Sequence, residues 1–153
     1  IDLGVSKESL EKEFEVKDEA VESTRLFFDN LSETRNAWVA EEYRIENIES
    51  RILGFCRVTV SEAGTGKINA IYLIPEAQGK GVGQKLFQTA LDWLDSKNCK
   101  EITIDCVYNN ERAFKFYKKF GFEIVTDANP EPHKLQSGEE IKVIRLKSKE
   151  KRH

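Results

Sequence analysis

Methionine is absent from these 153 residues, even at position 1, so Ile1 is not expected to be the first translated residue. Cysteine is scarce. Cys56, Cys99 and Cys106 are odd in number and show no C-x-x-C spacing, which excludes a disulfide framework and offers no zinc or redox motif. Reduced thiols and no metal are expected. Long apolar runs are also missing. The longest, Ala70 to Pro75, falls far short of the roughly 20 residues a membrane helix needs. A charged fraction of 33% and a mean hydropathy of -0.54 agree in excluding an integral membrane protein. No excess of positive charge exists either: 24 Lys and Arg against 27 Asp and Glu give a net charge of -3, with a pI of about 5.6. Nucleic acid therefore has no general electrostatic attraction for this chain. The start, Ile1-Asp2-Leu3-Gly4, leads into alternating charges rather than an apolar signal region, and no lipidation motif is visible, so a cytoplasmic location is expected.

What is present suits one buried core. Hydrophobic residues make up 39%, including 9 Phe, 4 Tyr and 2 Trp, and the length fits a single domain spanning 1–153. Disorder is excluded, and Lys147 to His153 reads as a solvated basic tail. The first third reads as helix. Ser6 caps a segment bearing Leu10 and Phe14, and Ala20, Thr24, Phe27, Phe28 and Leu31 mark one face of a longer helix. Ala37 to Ala40 and Arg51 to Val60 read as a hairpin. Lys67 to Ile74 is β-branched and aromatic and is closed by Pro75, which marks a central strand that stops abruptly.

After Gly79-Lys80-Gly81-Val82-Gly83, the stripe Leu86, Phe87, Ala90, Leu91, Leu94 predicts an amphipathic helix. Glu101 to Val107 follows as a buried strand. Asn110 to Phe120 is a second helix, with Gly121 placed for a left-handed C-cap. Phe122 to Thr126 and Glu140 to Lys147 are two more strands, joined by a 13-residue connection, Asp127 to Glu139. The fold class is therefore α/β in the broad sense, more closely α+β, with helices flanking one sheet.

The stretch from Ile71 to Gln84 carries the chemistry. A strand ends, the chain turns through residues without bulky Cβ atoms, and a helix begins with unpaired N–H groups that suit phosphate oxygens. Tight packing explains such a glycine turn equally well. The spacing is not G-x-x-x-x-G-K-[ST], and no third glycine completes G-x-G-x-x-G, so P-loop and dinucleotide readings lose ground.

Gln78-Gly79-Lys80-Gly81-Val82-Gly83 resembles the Q/R-x-x-G-x-G/A signature of the GNAT superfamily of N-acetyltransferases. Asn110-Glu111-Arg112-Ala113, followed by Tyr117, Gly121 and Phe122, resembles that family's second signature, N-x-x-A-x-x-x-Y-x-x-x-G-F. The likeness runs in detail from about Arg51 to Val125. It implies a central mixed, mostly antiparallel sheet whose two middle strands splay. That family opens with a strand before its first two helices, and none is evident ahead of Ser6.

The resemblance further implies an acetyl-CoA site. Its pantetheine arm would lie between the strands ending at Pro75 and Val107, hydrogen-bonded to backbone near Ile71, Tyr72 and Leu73. Its diphosphate would rest on the amides of Gly79, Lys80, Gly81, Val82, Gly83 and Gln84, with the Lys80 side chain either adding charge or merely solvated. Asn110 would reach the pantetheine arm through its side-chain amide, or serve as a helix N-cap. Tyr117 would be the general acid, since a phenol with a pKa of about 10 stays protonated at neutral pH. Without the resemblance, an aromatic packed beside Ala113, Phe116 and Phe120 reads as core. For the base, Asn69 stands where some family members place a glutamate, in the alternation Lys67, Asn69, Ile71, and cannot serve. Asp105, five residues before the signature asparagine, is the candidate instead, against a strand aspartate paired with a lysine. His133 titrates in the right range, and Cys106 would matter only for a two-step transfer through an acetyl-cysteine.

The implied reaction is acetyl transfer from acetyl-CoA to a primary amine of a small molecule or peptide, by direct attack in a ternary complex. Glu131, Glu139, Glu140, Glu41 and Glu42 suggest a cationic acceptor on charge alone. Two other readings stay open: an acyl-CoA-binding sensor without catalysis, suggested by Asn69, and a nucleotide-binding module using the glycine turn. Strand edges near the C-terminus leave a homodimer open.

Overall fold

The computed structural model describes residues 29–44, 49–125, 130–134 and 138–148. The helices expected around Leu10, Phe14 and Ala20 to Phe28, and any strand ahead of Ser6, lie outside those residues. Leu31, expected on a helical face, sits beyond a turn instead and is 46% exposed.

Strand β1 (Arg35–Arg44) and β2 (Glu49–Val60) form the expected hairpin, both longer than the apolar residues alone suggest. They are followed by β3 (Thr65–Leu73), helix α1 (Val82–Ser96), β4 (Glu101–Val107), α2 (Glu111–Lys119), β5 (Phe122–Ile124), β6 (Glu131–Lys134) and β7 (Glu140–Ser148). The sheet order is β1-β2-β3-β4-β7-β5, with β6 also on β7. Among the described strands only β3 and β4 pair in parallel, and α1 supplies the crossover that this requires; α2 joins β4 to β5, which lies beyond β7. Every other pairing is antiparallel.

Strand β6 corrects the expectation of an open connection between Asp127 and Glu139. Its residues lack alternating apolar character because they add to the outer edge of β7, where Glu131 pairs with Val143 and Lys134 with Glu140. Pro132 is tolerated there because an edge strand leaves one row of N–H groups without ladder partners. Strand β7 is itself interior, paired with β4 on one side and with β5 and β6 end to end on the other. The stretch read as a loose tail begins later than expected, since Lys147 and Ser148 belong to β7.

Both described helices cover one face of the sheet. The α1 stripe Leu86, Phe87, Ala90, Leu91, Leu94 packs on Val58, Ile68, Ile102, Ile104, Ile144 and Leu146. Phe87 is fully buried; its ring centroid lies 4.7 to 5.7 Å from those of Phe116, Tyr117, Phe120 and Phe122. This aromatic knot joins α1 to α2 and β5. It is built from the apolar periodicity visible in both helices, and each fully buried ring contributes about 1.5–3 kcal/mol. Gly121 takes φ +84 at the end of α2, the left-handed turn its residue type favours. A smaller cluster, Val39, Ile52, Phe55, Ile74 and Ala77, buries the other face of the hairpin.

The ladder between β2 and β3 is interrupted once. Its register passes from Arg57↔Ala70 to Val58↔Ile68, so Asn69 is an extra residue with no opposite number. A bulge of this kind reverses which face the next residues occupy. Ile68 and Ile71 both join the cluster beneath the helices, whereas Ala70 joins the other. The simple alternation of Lys67, Asn69 and Ile71 therefore fails, and Ile71 lies on the face opposite Lys67.

Candidate active site

Strands β3 and β4 run paired from Thr65↔Glu101 to Ile68↔Ile104 and no further. Beyond that rung β3 stays bound to β2 through Ala70 to Leu73, and β4 stays bound to β7 through Asp105 to Val107. The two arms part because each keeps its outer neighbour and the Asn69 bulge turns β3 away. Their facing backbone groups then lack the ladder partners that a continuous sheet would supply. A cleft of about 400 Å³ opens here, lined by Ile71, Leu73, Gln78, Gly79, Gly81, Gly83, Gln84, Asn110, Arg112, Ala113, Phe116 and Lys119. A second cavity, about 180 Å³ between β1 and the start of α1, touches neither β4 nor α2.

The glycine turn closes one end of the cleft. Ile74 is tied to β2 by its N–H to Leu53 O at 2.8 Å, and Pro75–Ala77 form a single 3-10 turn. Gly79 and Gly81 take φ of +77 and +82, which few other residues adopt. Gly81 is the N-cap of α1 and supplies no side-chain acceptor. The first amide of α1 with a main-chain acceptor is that of Lys85, which donates to Gly81 O at 3.1 Å. Among the described residues, the amides of Gly79 to Gln84 find no such partner. That leaves a run of N–H groups at a positive helix end, a favourable seat for a phosphate. A Cβ at Gly83 would come within 2.6 Å of Leu73 Cδ1, so that side chain would have to turn aside. The helix start is therefore pressed against the end of β3, with only a hydrogen atom between them.

Asn110 caps α2, its Oδ1 accepting from the Ala113 N–H at 3.2 Å, and it also lines the cleft. The two sequence readings of this residue are thus compatible: the carbonyl serves the helix while the amide NH2 remains available to a ligand. Arg112 and Lys119 were not singled out from sequence and Phe116 was read only as core, yet all three face the cleft. Their i, i+4, i+7 spacing along one helical face was the signal that would have found them.

Tyr117 is not part of the cleft wall but lies one residue inward, 8% exposed, its ring 5.6 Å from Phe87 and 5.5 Å from Phe116. Burial, with smaller contributions from the neighbouring Cys106 and Cys56 thiols, pushes its phenol well above the ordinary value. No hydrogen-bond partner for its hydroxyl occurs among the described residues. Cys106 is 5% exposed, and burial raises its thiol to about 11, which leaves little nucleophilic thiolate at neutral pH.

Asp105 sits at the parting point, on the face away from the helices. Arg145, directly opposite on β7, donates to both its oxygens, Nε to Oδ1 at 2.8 Å and a terminal nitrogen to Oδ2 at 3.2 Å. Lys67 Nζ on β3 lies 3.2 Å from Oδ2. The Arg145 hydrogen bond, helped by Lys67 and only partly opposed by burial, holds the carboxyl below its usual range. Asn69 Oδ1 accepts from the Thr59 hydroxyl at 3.1 Å. His133 has its backbone in β6, opposite Ile141, rather than in an open loop. Glu131 lies near Arg145 and raises its pKa, while Glu41 lines the separate cavity by α1. The acids proposed to attract a cationic acceptor therefore do not converge on the cleft. Tyr72, Val107 and Tyr108, at the ends of the two arms, are 37%, 44% and 43% exposed.

A sheet parted at its single parallel pairing, with a helix start of free amides at the mouth of the gap, is the architecture of an acetyltransferase. The chain belongs to the Acetyltransferase (GNAT) family, whose profile matches residues 6–122. Among curated proteins it is 28% identical over 113 residues to the uncharacterized N-acetyltransferase YhfO of Bacillus subtilis, covering 65% of this chain and 76% of that one. It is 28% identical over 99 residues to the mycothiol acetyltransferase of Acidimicrobium ferrooxidans, covering 61% of this chain and only 32% of the relative. Among solved structures, a ribosomal-protein-alanine N-acetyltransferase from Brucella melitensis superposes with a TM-score of 0.71 at 13% identity, covering 94% of this chain and 96% of that one. A Bacillus anthracis acetyltransferase solved in complex with acetyl coenzyme A superposes with a TM-score of 0.58 at 22% identity, over 80% and 66% of the two chains. These structural likenesses establish the shared fold.

Proposed function

We propose that this chain transfers an acetyl group from acetyl-CoA to a primary amine of a small molecule or a peptide end, by direct attack within a ternary complex. The observation that carries this reading is the parting of β3 and β4 after Ile68↔Ile104, beside a helix start whose amides are unsatisfied. The residues fit the cosubstrate. A diphosphate suits the amides of Gly79 to Gln84, and Lys80, Arg112 and Lys119 supply positive charge around them. An extended pantetheine arm suits the edge of β3 at Ile71 to Leu73 that faces away from β2, entering as a strand would, and the Asn110 amide adds a donor.

In the chemical step the amine nitrogen forms a bond to the thioester carbonyl carbon. The carbon–sulfur bond breaks, and the sulfur leaves as a thiolate. Tyr117, a phenol that stays protonated throughout the neutral range, is the group assigned to give that thiolate its proton. The proton the amine must lose is assigned to solvent at the open face. Asp105 is the nearest carboxylate to the parting point, but held by two cations it is a weak acceptor.

That missing free carboxylate is also what favours a second reading, an acyl-CoA-binding sensor without turnover. One experiment separates the possibilities. Calorimetry with acetyl-CoA and, separately, ATP is followed by a panel of amines monitored for free CoA thiol. Acetyl-CoA binding with thiol release supports the transferase. Binding without release from any amine supports the sensor. Preference for ATP supports the nucleotide-binding module and removes both.

A further inference from the structure

The ionic group around Asp105 bridges three strands at one point in the sheet. Asp105 is the first β4 residue beyond the last paired rung with β3. Its carboxylate is gripped from β7 by Arg145 through two hydrogen bonds and from β3 by Lys67. Lys67 is paired in register with Thr103, so its side chain reaches forward across the strand boundary to meet Asp105. Charges continue outward on the same face, with Glu131 and Glu101 both close enough to influence Arg145. Beyond this point nothing joins β3 to β4, and the cleft begins.

From this arrangement we infer that Asp105 is a positioning residue, forming with Lys67 and Arg145 an ionic clamp that fixes where β3 and β4 separate and so sets the width of the gap. The Arg145 fork draws β4 toward β7, while Lys67 tethers β3 from the rung before the last one. Were the tether absent, Lys67 and Arg145 would face each other across the boundary with only the more distant Glu131 and Glu101 to offset Arg145, and the end of the paired segment would fray or shift. A gap of ill-defined width binds an extended ligand less well, because ordering the two arms must then be accomplished on binding. The inference rests on the acetyl-CoA reading for its ligand but not for its structural content.

The test uses the whole chain carrying Asp105→Asn, Lys67→Gln, Arg145→Gln and the paired substitution Asp105→Asn with Arg145→Gln. Expected is a rise of about two- to fivefold in the acetyl-CoA dissociation constant and KM for each single variant, the size of a partly exposed charged pair, with kcat changed less than about twofold. The paired variant should be no worse than the worse single one, since both remove the same interaction. Lys67→Arg, which keeps a cation in reach, should restore affinity. Amide hydrogen exchange without ligand gives an independent reading: protection at Ile68 and Ile104 should fall in Asp105→Asn while α1 is unaffected. Should kcat of Asp105→Asn drop about 100-fold at unchanged KM, the size expected for losing an acid–base group, Asp105 is the general base and the clamp is overturned. Unchanged affinity together with unchanged exchange overturns it as well. Failure of the unaltered protein to bind acetyl-CoA removes the function proposed above, and the exchange data still decide whether the clamp exists.

Discussion

Replacing Tyr117 by Phe separates chemistry from packing unusually well at this position. The ring is 8% exposed and packed among Phe87 and Phe116, so Phe keeps every ring contact and removes only the hydroxyl. That hydroxyl has no hydrogen-bond partner among the described residues, yet its oxygen is not closed off from solvent, so removing it should leave stability within about 0.5 kcal/mol, or roughly 1–2 °C in melting temperature at this chain length. Turnover should fall. Loss of a general acid lowers the rate by about 10² to 10⁴, and a 100-fold loss is about 2.7 kcal/mol of transition-state stabilisation. Continuous detection of CoA thiol with saturating acetyl-CoA measures the rate, and calorimetry shows whether acetyl-CoA affinity is kept. A phenol held above its ordinary value also stays protonated past pH 10, so wild-type kcat should show no alkaline decline caused by this group below that point. A variant that turns over within about threefold of wild type, well below the loss expected for an acid catalyst, would refute the role given to Tyr117. Loss of affinity in step with rate would mean that the hydroxyl acts in binding rather than in proton transfer.

Other expectations follow from single contacts. Asn110→Asp should keep the α2 cap, since both side chains accept from the Ala113 N–H, yet weaken acetyl-CoA binding in calorimetry because the amide donor is gone; Asn110→Ala should lose both, with a stability cost of about 1 kcal/mol in denaturant unfolding. Gly83→Val should raise the acetyl-CoA dissociation constant at least about tenfold, or 1.4 kcal/mol, because even a Cβ would stand 2.6 Å from Leu73 Cδ1 and must push that cleft-lining side chain or the start of α1 aside; circular dichroism should show the fold retained. Phe87→Ala removes the fully buried hub of the aromatic knot and should cost about 3–5 kcal/mol in urea unfolding. Stability should also decline with pH above about 8.5, the ordinary thiol value. Cys56, Cys106 and Tyr117 all have raised pKa values, so the folded state keeps protons that the unfolded state gives up, and the alkaline slope of a melting-temperature profile should shrink in Cys106→Ser.

Local pattern alone determined a good deal of this molecule. The stripe of α1, the strand from Glu101 to Val107, the Gly121 C-cap and the glycine turn were all readable, because each depends on residues within a few positions of one another. The paired signatures pointed to the family for the same reason. What depended on distant partners was not readable. Strand β6 has no apolar alternation and exists only because β7 offers it an edge. The bulge at Asn69 is visible only against the register with β2, and it moved Ile71 to the face opposite Lys67. Pairing of Asp105 with a lysine was weighed from sequence and Lys67 supplies it, but Arg145 lies 40 residues away, so nothing near either position announced the second cation. Periodicity speaks for a residue's own element. Whether a charged side chain ends as a base or as a tie between strands is decided by which strands the fold sets side by side.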